Sequence, residues 1–194
     1  MFYNTQYWYL DVTFTFINCA NHSLLALNDN FDLLFIKKSS KDFVYLPQEK
    51  ATGSMSYVTI AFWMKTLKGF NTGTILSYNV PSVNNHLIEI RIISEELQIV
   101  FMDWSILTKV IITDQKWHCI GIAWSSSLGS LRLYVDGVVT NRYSNVLKGQ
   151  KLSAGGAVVL GQRHSNFSNG TLSGKDSFLG YLHQVKNFSY DSKN

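Results

Sequence analysis

Hydrophobic and polar residues alternate with a period of two along most of the chain, and stretches with a helical period are sparse. Near the start, Trp8, Leu10, Val12, Phe14 and Phe16 share one parity, while Tyr7, Tyr9, Asp11, Thr13 and Thr15 share the other. This pattern predicts a half-buried strand over 7–17. A polar stretch over 18–30 separates it from a second strand at 42–46, stopped by Pro47, which has no N–H for a ladder. From residue 57 on, runs rich in Val, Ile, Phe, Trp and Tyr recur between clusters of Gly, Asn and Ser. They predict strands over 57–66, 73–80, 86–93, 96–102, 109–112, 117–124, 130–137, 157–161 and 178–188. So many short strands require two sheets, so the pattern predicts a mostly β sandwich. Asp136-Gly137, set between apolar residues on both sides, is the pair that a tight hairpin with positive φ favours, and it reads as turn chemistry rather than catalysis.

Composition narrows the classes. A chain of 194 residues and 22.0 kDa suits one domain with a real core. With 46% hydrophobic and only 15% charged residues, disorder driven by charge is excluded. The net charge of +4 is mild, and no run of like charges concentrates it, which argues against a nucleic-acid partner. No run of about 18 apolar residues exists, so no membrane insertion is expected within this chain. The first Lys or Arg is Lys37, so the opening residues make no convincing signal peptide.

Catalytic constellations are missing. Glycoside hydrolysis needs two carboxyl groups about 5 to 9 Å apart, and no strand offers a Glu-x-Asp-x-x-Glu arrangement. Glu89 with Arg91 is the one strand carboxylate with a charged neighbour on its own face, and it reads as a solvated pair. Glu95 and Glu96 read as a turn. His22, His86, His118, His164 and His183 sit in no motif, and His118 beside Cys119 would point to the opposite face of a strand. Metal spacings, a phosphate loop and a dinucleotide fingerprint are absent. The expectation is a protein that is not an enzyme.

Four segments, TIAFWMKT, KWHCIGIAWSSSLGSLRLYVDG, GGAVVLGQ and SFLGYLHQVKNFSYD, stand in the order and spacing that resemble the pentraxin family and its laminin-G and concanavalin A-like relatives. Trp117, Trp124, Tyr134, Val135, Asp136, Gly137 and the run 156–162 carry the resemblance. It implies an all-β, two-sheet antiparallel jelly-roll sandwich over 31–194, preceded by an extension, 1–30, that holds the extra strand at 7–17. The family's C-terminal helix and returning strand are not expected, and 7–17 would fill the place of the latter. An extracellular or secreted location is implied, as a ring oligomer or as a pentraxin domain of a larger adhesion receptor or multidomain protein. The family's disulfide falls at Ile60 and Gly121, neither a cysteine; the two cysteines present, Cys19 and Cys119, stand either as a bridge or as buried thiols.

The resemblance also locates a calcium site. Family ligands match Asn84 and Asn85, then Arg163, His164 and Ser165, then Ser173 and Asp176, so that most of the carboxylates are gone and one charge is reversed. Calcium takes six to eight oxygens, several from carboxylates. A guanidinium about 5 Å from a divalent ion repels it by roughly 7 kcal/mol at an effective dielectric of 20. The site is therefore degenerate, with no metal and no cofactor expected. The function implied is a non-catalytic extracellular recognition or adhesion module for a protein or glycan ligand. One alternative is a calcium-dependent lectin or opsonin-like pentraxin that binds phosphorylated or carbohydrate ligands. The other is a concanavalin-fold glycan hydrolase, which needs two facing acids. Sequons at Asn21, Asn166, Asn169 and Asn187 are glycosylation candidates, two of them in the former calcium loop. Arg142, Lys148, Lys151, Arg163 and Lys175 are scattered and read as a solvated face.

Overall fold

In the segment Tyr57–Thr66, Val58, Ile60, Phe62 and Met64 are buried at alternate positions, as a strand with one face on a core requires. The same rule repeats through a computed structural model that describes residues 32–47, 53–80, 87–163, 172 and 174–190. The described strands are β1 (Leu33–Phe35), β2 (Val44–Pro47), β3 (Ser54–Met55), β4 (Tyr57–Thr66), β5 (Gly73–Asn79), β6 (Ile88–Ile93) and β7 (Glu96–Phe101). They continue as β8 (Trp104–Ile111), β9 (His118–Ser125), β10 (Ser130–Val135), β11 (Val138–Tyr143), β12 (Leu152–Ser153), β13 (Ala157–Leu160) and β14 (Gly180–Tyr190), with one 3-10 turn at Gly174–Asp176.

Two six-stranded antiparallel sheets result. The first runs β1-β14-β4-β9-β10-β11, the second β2-β13-β5-β6-β7-β8, and β12 pairs with β3 as a small ribbon. Between the sheets, Ile60, Phe62, Ile120, Ile122, Leu131 and Leu133 from the first meet Ile88, Ile90, Ile92, Leu97, Ile99 and Phe101 from the second. The Trp124 ring lies 5.8 Å from Phe101, and its indole N–H donates to the Val146 carbonyl at 2.9 Å, so a large aromatic is buried without an orphan donor.

The sandwich agrees with the alternation, and the differences have local causes. β8 begins at Trp104, well before 109, because the edge strand exposes Leu107 and Ile111 and so blurs the alternation. β11 was not among the expected strands; it is a polar edge strand paired only with β10. β2, an edge strand, ends on Pro47 opposite Ala157, and edge strands are where sheets tolerate proline. The extension 1–30 and its strand at 7–17 lie outside the described residues.

Register corrects one expectation. Ile60 stands opposite Ile122, whereas Gly121 stands opposite Ala61. Ile60 and Gly121 therefore belong to opposite faces, and the pair that a β4–β9 disulfide would join is Ala61 with Gly121. The LGQ run is structural. Gly161 has φ +84°, and a Cβ there would clash with the Phe35 ring. Gln162 is fully buried, and its amide nitrogen donates to the carbonyls of Ser39 and Asp42.

Candidate functional site

On the outer face of the second sheet, register alone lines up Val159, Ser77, Glu89, Val100 and Ser105 in one row across β13, β5, β6, β7 and β8. These positions alternate with the core residues of the same strands, so each faces away from the sandwich interior. The Ser77 hydroxyl donates to the Gln162 carbonyl at 3.0 Å, which holds the chain leaving β13 over the outer face of β5. Arg163 follows directly and reaches Glu89.

Glu89 is a carboxylate taken out of water, only 1% exposed. Arg163 Nε donates to its Oε1 at 2.8 Å, and Arg91 Nη1 lies 3.3 Å from its Oε2. Arg91 Nε also donates to the Gln98 side-chain oxygen at 2.5 Å. Charge-assisted bonds from two guanidinia offset the desolvation that burial costs. The expected solvated Glu89/Arg91 pair is thus corrected: Arg163, 74 residues away in sequence, covers the carboxylate. Beside this cluster lies an open depression of about 330 Å³ lined by Glu89, Arg91, Val100, Met102, Asp103, Ser105 and Arg163. Asp103 is exposed in the β7–β8 turn, where Met102 holds φ +50°, and Ser105 is exposed just beyond it in β8.

Of the residues matched to the family's calcium ligands, Asn84, Asn85, His164, Ser165 and Ser173 lie outside the described residues. Asp176 sits on the 3-10 turn and does not line the depression. Arg163 does, and it is fastened to a buried carboxylate rather than swung into solvent. Calcium would need several carboxylate oxygens there. Among the described residues the one buried carboxylate is Glu89, which two guanidinia engage, and no three His, Cys, Asp or Glu side chains gather as a metal site.

A second cluster was not legible in the sequence. His118 lies between two carboxylates, with Nδ1 2.8 Å from Asp136 Oδ2 and Nε2 3.0 Å from Asp114 Oδ1. Burial pushes the imidazole pKa down, but the hydrogen bonds from Asp136 and Asp114 outweigh it, and the net shift is upward. Asp114 is held below the usual carboxylate range, first by the Lys116 backbone N–H and then by His118. Asp136 also accepts the Cys119 N–H at 2.8 Å, so the hairpin turn caps the neighbouring strand as well as reversing the chain. Both Asp136 and Gly137 have positive φ, 52° and 82°, as the turn chemistry predicts.

Cys119 is buried on the outer face of β9 and is disulfide-bonded. Cys19, and the sequons at Asn21, Asn166 and Asn169, lie outside the described residues. The Asn187 backbone belongs to β14, opposite Ile60. Of the scattered basic residues, Arg142 pairs across from Arg132 on the first sheet, while Arg163 lies on the far face of the second, so these two do not share a patch. Among the described residues no helix is long and apolar enough to cross a membrane.

Comparison with known proteins matches this architecture. The chain is 27% identical to rat neuronal pentraxin-1 over 154 residues, which is 79% of this chain and 35% of that protein. It thus spans about a third of the length of that curated relative. A native heptameric SAP-like pentraxin from Limulus polyphemus superposes with a TM-score of 0.64 at 22% identity, covering 80% of this chain and 74% of that one. Domains LG4-5 of the mouse laminin α1 chain superpose at 0.61 with 15% identity, covering 80% of this chain and 42% of that one. These two solved structures share the fold, a two-sheet jelly roll. The pentaxin family model matches residues 32–191, most of the sequence, and the chain belongs to the pentaxin family.

Proposed function

We propose that this pentaxin-family domain is an extracellular, non-catalytic recognition module for a protein or glycan ligand, and that its site operates without calcium. The observation that carries the reading is the Arg163–Glu89 pair. A guanidinium stands at a position where the family resemblance implies a calcium-ligating acid, and it is anchored at 2.8 Å to a buried carboxylate. Such a cation opposes a divalent ion by several kcal/mol at close range. The non-catalytic part of the reading is supported by the same contacts, in which both Glu89 oxygens are engaged by guanidinia. The Limulus relative is heptameric; ring assembly of this chain belongs to the same reading and is measured by light scattering.

Calorimetric titration of the full chain with calcium tests the proposal. No saturable heat is expected up to about millimolar calcium, the weak end of extracellular calcium modules. Tighter saturable binding would overturn it in favour of a calcium-dependent lectin. A glycan and cell-surface-protein array, run with and without chelator, identifies the ligand, and the same spots should light in both.

A further inference from the structure

We infer that the apolar stretch at 7–17 lies across the outer face of the first sheet, tethered there through Cys19 to Cys119, so that the chain itself closes this face. The inference is independent of the calcium-free reading, which concerns the second sheet. Register places Cys119 opposite Trp63, Gly121 opposite Ala61 and Tyr134, and Ala123 opposite Thr59 and Arg132. Ile120 and Ile122 between them point into the core, so these residues make the outer surface of β4, β9 and β10. Its middle is a trough. Ala61, Cys119, Gly121 and Ala123 form the floor, and the half-buried rings of Trp63 and Tyr134 stand on either side. Every described strand belongs to the two sheets or to the small ribbon, whose Leu152 and Met55 pack in the core, so no described strand covers the trough. Yet Cys119 is 2%, Ala61 3% and Ala123 7% exposed. Side chains this short are buried on an outer face when something lies over them.

The disulfide names the occupant. Cys119 is bonded, and the sequence holds one other cysteine, Cys19. The anchor strand is held firmly, since Asp136 accepts the Cys119 N–H at 2.8 Å and its other oxygen binds His118. Directly before Cys19, Trp8, Leu10, Val12, Phe14 and Phe16 share one parity, and the single charge of the stretch, Asp11, has the other. One apolar face therefore meets the trough while Asp11 turns to water. The alternation ends at Ile17, so the polar stretch that carries Cys19 is free to turn its sulfur to Cys119. A lone strand does not hold its own shape, but a bridge makes its docking an intramolecular event with a high effective concentration. The same tether excludes the free edge of β1, four strand spacings or about 19 Å from β9, as the place of the segment's end. A disulfide and three extended residues keep Phe16 within about 17 Å of Cys119.

Photocrosslinking of the full chain, with benzoylphenylalanine in place of Val12, tests the placement. Crosslinks to peptides within 57–65, 117–125 or 130–135 are expected. Crosslinks to 33–36, to the second sheet or to a second copy overturn the inference, as does the absence of any crosslink to the first sheet. Hydroxyl-radical footprinting of the chain with Phe14→Asp and Phe16→Asp gives a second readout. Oxidation of Trp63 and Tyr134 should rise several-fold, with Tyr45 on β2 unchanged. Unchanged rates at Trp63 and Tyr134 overturn the inference, and so does recovery of Cys19 and Cys119 as free thiols.

Discussion

Arg163 Nε donates to Glu89 Oε1 at 2.8 Å, and this bond joins the loop leaving β13 to the middle of β6 on the outer face of the second sheet. Removing the guanidinium strips a buried carboxylate of one of its cations. Arg163→Ala should therefore lower unfolding free energy by about 3 kcal/mol, the range for breaking a buried pair from one side. Urea denaturation checks this, and Arg163→Lys should recover part of the loss.

The His118 clamp gives stability a pH dependence of known sign. Its folded pKa lies above the ordinary value, so its contribution is complete below about pH 6.5 and fades as pH rises through the folded pKa. Asp114 is shifted the other way, so its share is present above about pH 4 and is lost as pH falls through its folded pKa. The destabilisation caused by His118→Gln should be largest near pH 5 to 6 and shrink toward pH 9. Denaturation midpoints of both proteins at these pH values test the prediction, and a difference that grows with pH would contradict it.

Gly161→Ala should cost about 2 kcal/mol or more. The residue occupies the left-handed region, and the added methyl meets the Phe35 ring, itself buried against Phe178 with ring centroids 6.0 Å apart. A fall in thermal midpoint is expected. Gly137→Ala is the control, because nothing lies within 4 Å of a Cβ there and only backbone strain is added.

Cys119 is disulfide-bonded, and the sequence contains two cysteines, so we propose Cys19 as its partner. The bridge would close a loop of about a hundred residues, contributing up to about 5 kcal/mol in the chain-entropy model. Peptide mapping without reductant should recover one cross-linked pair, and Cys119→Ser should lower stability by the same amount as reduction. Recovery of two free thiols from secreted protein would refute the pairing.

Alternation at period two was enough to assign the all-β sandwich, because burial of one strand face is a local property written into successive residues. The strand at 57–66 was legible to the residue, and Asp136-Gly137 announced its hairpin, since positive φ is a demand on residue type. Edge strands were harder. β11 and the first half of β8 face solvent on more than one side, so no strict apolar rhythm is imposed on them.

By itself, then, the sequence determined the fold class and the turn chemistry. Only the tertiary structure decided which charges meet. Glu89 looked solvated because its strand neighbours are visible in sequence and Arg163 is not. His118 looked idle because Asp136 reaches it only through the β9–β10 pairing and its turn. Electrostatics depends on distance and burial, and in an antiparallel sandwich both are set by strand register and loop path rather than by separation along the chain.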